Sequence, residues 1–202
     1  MKLKTILVAL VAIVAVGIVS CTKTQNAEET VCCENCTVSV DSLMANAANM
    51  VGDTITVEGV CSHLCAHGGR KAFLLGVDST LILRCEATPE MGGAFSPESV
   101  GKTLKVTGVV CEQRIGEEEV AAMEARYAEA SKAEKTHEAC DTEKKAQGQE
   151  GLNTFEDRMA DYRAKIAARN EAEGKNYLSF YYLESLSYDM DQPETEAEEA
   201  AE

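Results

Sequence analysis

Four residues with metal-binding chemistry lie within seven residues of one another: Cys61, His63, Cys65 and His67. Each is two positions from the next, so an extended backbone would place all four on one side of a strand. Thiolate and imidazole are good zinc ligands, and four of them satisfy its tetrahedral geometry. A single strand cannot wrap around an ion, but Gly68-Gly69 allows a turn on one side. The pattern predicts a metal site, with zinc as the ion. The alternatives are a Cys61–Cys65 disulfide and reduced polar residues in a loop.

The other cysteines bear on compartment and packing. The chain has nine cysteines, and if Cys21 is modified an even number remains, as expected in an oxidising compartment. Cys33 and Cys36 form a Cys-x-x-Cys followed by threonine, which is not a c-type haem attachment site. We interpret this pair as a disulfide staple, with a redox pair or half of a metal site as alternatives. Cys85 shares a predicted strand face with Leu81 and Leu83 and is expected in the core.

The first twenty residues have the composition of a secretory signal. Two lysines precede an apolar run, Ile6–Val19, that is too short to span a bilayer comfortably. The following Ile18-Val19-Ser20-Cys21 resembles the lipobox of bacterial lipoproteins, in which the signal is cut before a cysteine that is then acylated. The resemblance implies lipidation of Cys21 and the membrane as a partner. Thr22-Lys23 lacks the aspartate that retains enteric lipoproteins in the inner membrane, so we expect a lipid-anchored cell-envelope protein in the outer membrane.

The charge balance excludes some partners. The formal charge is −15, and loss of residues 1–20 with their two lysines makes it −17. Nucleic-acid binding depends on Lys and Arg that neutralise phosphates, so no nucleic-acid partner is expected. Adsorption to anionic lipid headgroups is disfavoured for the same reason. The acidity is typical of a soluble exported domain.

A repeated strand pattern dominates the middle of the chain. The segment Val51–Val60 recurs as Val100–Val109 with six of ten positions identical. Apolar and polar residues alternate in both copies, which predicts strands with one buried face and a glycine at a bulge or bend. Two further strands are predicted between the copies, at Lys71–Asp78 and Leu81–Ala87.

After Cys111 the composition becomes helical. Val120, Met123 and Tyr127 recur at helical spacing, and a second apolar stripe follows an N-cap at Thr154. That stripe consists of Phe155, Met159, Tyr162 and Ile166. An aromatic final strand and an acidic tail complete the chain. The predicted organisation is a signal (1–20), a lipidated tether with the cysteine cluster (21–48), four strands (49–115), a helical segment (116–174), a final strand (175–188) and a disordered tail (189–202).

Five short strands, with the repeat copies as the first and fourth, resemble the OB-fold barrel, in which those two strands pair. The resemblance implies an α+β fold: a small five-stranded OB-like β-barrel with a helical segment before its last strand. The usual helix between strands three and four is reduced here to a loop. Gly69-Arg70-Lys71-Ala72-Phe73 and Tyr177-Leu178-Ser179-Phe180-Tyr181-Tyr182 also resemble motifs of a group of Bacteroidetes lipoproteins, which implies no particular activity.

The function we expect is a lipid-anchored, non-enzymatic binding module that takes a metal ion or small ligand at its first hairpin. An OB-fold chaperone of cytochrome c assembly binds haem, but this chain lacks that protein's haem-binding motif, so haem is disfavoured. The alternatives are a thiol-disulfide redox protein using Cys61 and Cys65 or Cys33 and Cys36, and a structural lipoprotein with disulfide staples and an envelope protein partner. Hydrolase and transferase motifs are absent from the sequence, so no catalytic residue is assigned.

Overall fold

Two long strands, each beginning at the fourth residue of a repeat copy, pair with each other. The computed structural model describes residues 37–66, 68–77, 79–133 and 139–191. In it, β2 (Thr54–Leu64) and β5 (Thr103–Gly116) run antiparallel. Val57 lies opposite Val106, and both side chains are fully buried. Equivalent valines of the two copies therefore meet in the core, and the predicted pairing is confirmed. The first strand, β1 (Thr37–Ser39), lies outside the repeat and pairs parallel with β2.

The strands close into a five-stranded barrel. The remaining members are β3 (Lys71–Leu75), β4 (Ile82–Ala87) and β6 (Tyr177–Met190). The order is β2-β3-β4-β6-β5, and β5 returns to β2 to close the sheet. All neighbours in the barrel are antiparallel except β4 and β6, the third and fifth barrel strands. This arrangement is an OB-like barrel, so the predicted α+β fold is confirmed.

The second glycine of each repeat copy, Gly59 or Gly108, lies where another part of the chain comes close. A Cβ on Gly59 would be 2.9 Å from Val40 Cγ2 and 3.0 Å from the carbonyl oxygen of Leu75. A Cβ on Gly108 would overlap the carbonyl oxygen of Glu184 on β6, where the β5–β6 register shifts. The bulge predicted from the glycine pattern is therefore present at Gly108.

The barrel interior is filled by the inward side chains of all five strands. Alternation along β5 buries Leu104, Val106 and Val110, each at most 1% exposed. Cys85 on β4 is fully buried, which confirms its predicted place in the core. The connection between β4 and β5 is a loop with two short 3-10 turns, Pro89–Met91 and Pro97–Ser99, in agreement with the predicted reduction of the OB helix.

The helical segment connects β5 to β6 and has a core of its own. It comprises α2 (Glu117–Lys132), α3 (Asp141–Ala146) and α4 (Phe155–Glu173). The Thr154 hydroxyl caps α4 by accepting a hydrogen bond from the Asp157 N–H at 3.0 Å. Three buried residues of α4 pack against two from β5 and α2: Met159, Tyr162, Ile166, Ile115 and Val120. The predicted cap and stripe are confirmed.

The structure differs from the predicted organisation in the first and the last segments of the described chain. Residues assigned to the tether form β1 and a short helix, labelled α1 (Val40–Asn46). Val40 and Leu43 of this helix are 1% exposed and belong to the barrel core. The last strand extends to Met190, two residues beyond the predicted boundary. Cys21, the Cys33–Cys36 pair and the tail from 192 onward lie outside the described residues.

None of the helices in the described part of the chain is both long and apolar enough to cross a membrane.

Candidate functional site

A cavity of about 610 Å³ lies between the outer face of the barrel and the helical segment. Lys71 on β3 and Arg84 and Glu86 on β4 form its floor. They alternate along their strands with the buried Ala72, Leu83 and Cys85, which face the barrel interior. The tip of the β2–β3 hairpin closes one side, and the three helices close the other.

An ion network joins the floor to the helices. Glu143 on α3 accepts hydrogen bonds from Lys71 Nζ at 2.9 Å and from Arg84 Nη1 at 3.5 Å. Arg84 Nε also lies 3.1 Å from Glu86 Oε1, an ion pair without hydrogen-bond alignment. The Arg84 guanidinium in addition lies 4.7 Å from the Tyr182 ring centroid. Because both Glu143 and Arg84 are largely shielded from water, with side chains 15% and 11% exposed, the network anchors α3 over the barrel.

A second polar network orients Arg158 on the helical side. Gln149 is 1% exposed, and its Oε1 accepts a hydrogen bond from Arg158 Nε at 2.8 Å. Gln147 Oε1 accepts hydrogen bonds from Arg158 Nη2 at 3.0 Å and from the Tyr162 hydroxyl at 2.7 Å. Burial raises the pKa of Tyr162 further above neutral pH, in keeping with its hydroxyl donating here. Neutral acceptors therefore fix the Arg158 guanidinium in the cavity wall.

An aromatic pair forms the apolar part of the wall. The rings of Tyr127 on α2 and Phe155 at the start of α4 are stacked, with centroids 3.9 Å apart and planes at 3°. Ile115, Met123 and Leu152 extend this apolar surface. The cavity thus combines a flat aromatic face with charged groups, a combination suited to amphipathic small molecules.

The residues predicted to bind zinc do not share one face of β2. Cys61 faces the barrel interior, is fully buried, and its Sγ lies 3.7 Å from the His63 carbonyl oxygen. The register shifts between Cys61 and His63, so His63 instead lies opposite Phe73, with ring centroids 5.9 Å apart. Cys65 lines the cavity, and His67 lies outside the described residues. No group of three or more potential metal ligands occurs within residues 37–66, 68–77, 79–133 and 139–191.

Cys61 and Cys85 are both buried in the barrel core. Cys61 is a free thiol, so the Cys61–Cys65 disulfide is not formed. Burial raises the pKa of Cys61 and, more strongly, that of Cys85, on which the nearby Cys61 acts in the same direction. A reactive redox cysteine requires the opposite shift, because the thiolate is the nucleophile.

The first hairpin was the part of this site that the sequence identified. The cavity residues on β4 and the helices were missed, because each alone is an ordinary charged or apolar side chain. One sequence signal could have indicated the cavity floor. The charged residues Lys71, Arg84 and Glu86 alternate with apolar residues on predicted strands.

The fold places this chain in the class of OB-like barrels, here with helices inserted before the last strand. No protein-family model matches the chain, and no curated protein matches it. Among solved structures, 43% of the chain is similar to a putative aspartyl-tRNA synthetase from Leishmania major Friedlin, at 15% sequence identity and a TM-score of 0.27. The match spans 18% of that chain. The OB assignment therefore rests on the strand order and closure of this barrel.

Proposed function

We propose that this protein is a lipid-anchored, non-enzymatic binding module that holds a small ligand in the cavity between its barrel and its helices. The position of the cavity carries the proposal. OB barrels bind ligands on the face of strands two and three, between the loop joining strands one and two and the loop joining strands four and five. Here those elements are β3 and β4, the first hairpin and the helical segment, and all of them line the cavity.

The cavity also has the size and composition of a ligand site. Its volume of about 610 Å³ lies inside the range of roughly 300–1,000 Å³ that is usual for small-molecule pockets. Its carboxylates are committed to ion pairs, with Glu143 held by Lys71 and Arg84, so neither is an available general base. These features support binding over catalysis.

The anchoring and location are proposals from the sequence. The signal-like start and the lipobox ending at Cys21 support a lipoprotein of the cell envelope, in the outer membrane and of the Bacteroidetes type. An acylated Cys21 would attach to the membrane, and the segment that follows would tether the barrel to it.

Zinc binding by the first hairpin is a separate proposal, supported by the residue types and spacing of Cys61, His63, Cys65 and His67. In the described structure Cys61 belongs to the barrel core. A four-ligand site would therefore require this end of β2 to rearrange, and the cavity is the better supported ligand site.

The test uses the mature chain with Cys21→Ser and the neutral fluorescent probe N-phenyl-1-naphthylamine, whose size suits the cavity. We expect saturable binding of about one probe per chain. Ala66→Trp on the hairpin and Asn153→Trp on the helical side place bulky rings in the lining, and each should weaken binding at least about tenfold. Asn170→Trp on an exposed part of α4 is the matched control and should bind normally. Binding that none of these variants changes would place the probe elsewhere and refute the proposal.

A further inference from the structure

We infer that the ligand of this cavity is a small anion with a flat apolar or aromatic body, and that Arg70 and Arg158 bind its charged group. The inference rests on the proposed binding function and names the class of ligand.

The charges that line the cavity do not balance. Five cationic side chains face two carboxylates: Arg70, Lys71, Arg84, Lys144 and Arg158 against Glu86 and Glu143. Lys71 and Arg84 share both carboxylates through four contacts of 2.9 to 3.9 Å. Lys144 pairs with Asp141 at 2.9 Å. Two guanidinium groups are left without a carboxylate among the described residues.

The Arg158 guanidinium is fixed by uncharged partners. Its Nε and Nη2 donate to the side-chain carbonyl oxygens of Gln149 and Gln147, which carry no formal charge. Nη1 makes no hydrogen bond within the part of the chain that the structure describes. A half-buried guanidinium fixed by neutral groups retains its full positive charge, and a ligand carboxylate, sulfonate or phosphate would supply the missing counter-charge.

Arg70 lies on the hairpin side of the same cavity. It is exposed, and its side chain makes no hydrogen bond or ion pair within the described residues. A free arginine side chain can turn toward a bound anion without breaking an existing interaction. The two arginines therefore approach one ligand from the barrel side and from the helical side.

The apolar wall defines the rest of the ligand. The stacked Tyr127 and Phe155 rings, with Met123 and Leu152 nearby, provide a surface for a planar apolar group. An excess of positive charge in one cavity also contrasts with the formal charge of −15 on the whole chain. Random surface composition at that charge would favour carboxylates, so the local reversal supports a site built for an anion.

Two probes with one skeleton test the inference. 8-Anilinonaphthalene-1-sulfonate has the same ring system as N-phenyl-1-naphthylamine and adds one sulfonate. We expect the anionic probe to bind roughly tenfold or more tightly, as one charge-assisted contact allows. Arg70→Gln should weaken binding of the anionic probe several-fold and leave binding of the neutral probe unchanged. Arg126→Gln, an exposed arginine on α2 that does not line the cavity, is the control for net charge and should affect neither probe.

The outcomes separate the two proposals. If the neutral probe binds in the cavity and the sulfonate gives no advantage, the ligand class is wrong and the binding function stands. An advantage that persists in both Arg70→Gln and Arg158→Gln, with both variants folded by circular dichroism, also refutes the role of these arginines. If neither probe binds, the proposed function fails together with this inference.

Discussion

Raising the pH should destabilise this protein through its buried thiols. Cys85 is fully buried, and desolvation together with the nearby Cys61 raises its pKa far above the ordinary value of 9.0. The unfolded chain exposes this thiol to water, where it ionises near pH 9. Above that pH the unfolded state releases a proton that the folded state retains, so stability is complete below pH 9 and falls as the pH rises.

The expected loss follows from the linkage relation. Between pH 8.5 and 10.5 the ionisation of one thiol in the unfolded state alone lowers the free energy of unfolding by about 2 kcal/mol. The pKa of Cys61 is raised in the same direction, so it adds to the loss. Tyr162, also buried, and Tyr182, whose pKa burial raises to about 12, contribute further at the upper end of this range.

A comparison of variants isolates the contribution of Cys85. We would measure urea unfolding by circular dichroism at pH 8.5 and 10.5, with a reductant, for the wild type, Cys85→Ala and Val110→Ala. Val110 is 1% exposed in the same core and has no titratable group, so its variant is less stable at both pH values but has the wild-type pH dependence. Between pH 8.5 and 10.5 the free energy of unfolding of Cys85→Ala should fall by about 2 kcal/mol less than that of the wild type. Equal losses in all three proteins would show that Cys85 is not desolvated as described.

Two further predictions concern the barrel and the helical segment that form the cavity. Gly108→Ala should destabilise the barrel by about 1–3 kcal/mol, because the new Cβ overlaps the Glu184 carbonyl oxygen. Urea unfolding would measure this loss. Ser187→Ala, at an exposed position on β6, is the control and should leave the stability nearly unchanged. Gln149→Leu removes the hydrogen bonds to Arg158 and Asp161 and should cost about 2–4 kcal/mol, with faster hydrogen exchange localised to α3 and the start of α4. Exchange that increases uniformly over the barrel would contradict a local role for Gln149.

The sequence determined the elements whose signals are local. The alternation in the two repeat copies predicted strands with one buried face, and the resemblance to the OB fold implied that these strands pair, as β2 and β5 do. The cap at Thr154 and the stripe of α4 were equally readable, since both depend on residues within one or two turns. The burial of Cys85 followed from its face on β4.

The tertiary structure alone decided where the candidate site lies. Periodicity predicted one face for Cys61 and His63, but the register shift between them turns Cys61 inward, and that shift depends on the pairing with β3. Val40 and Leu43 lie in a helix too short to show a clear apolar periodicity, and their burial depends on the barrel that they cover. The cavity brings Arg70 and Arg84 together with Arg158 across a long stretch of chain. Such proximity arises from barrel closure and helix docking, which local sequence does not encode.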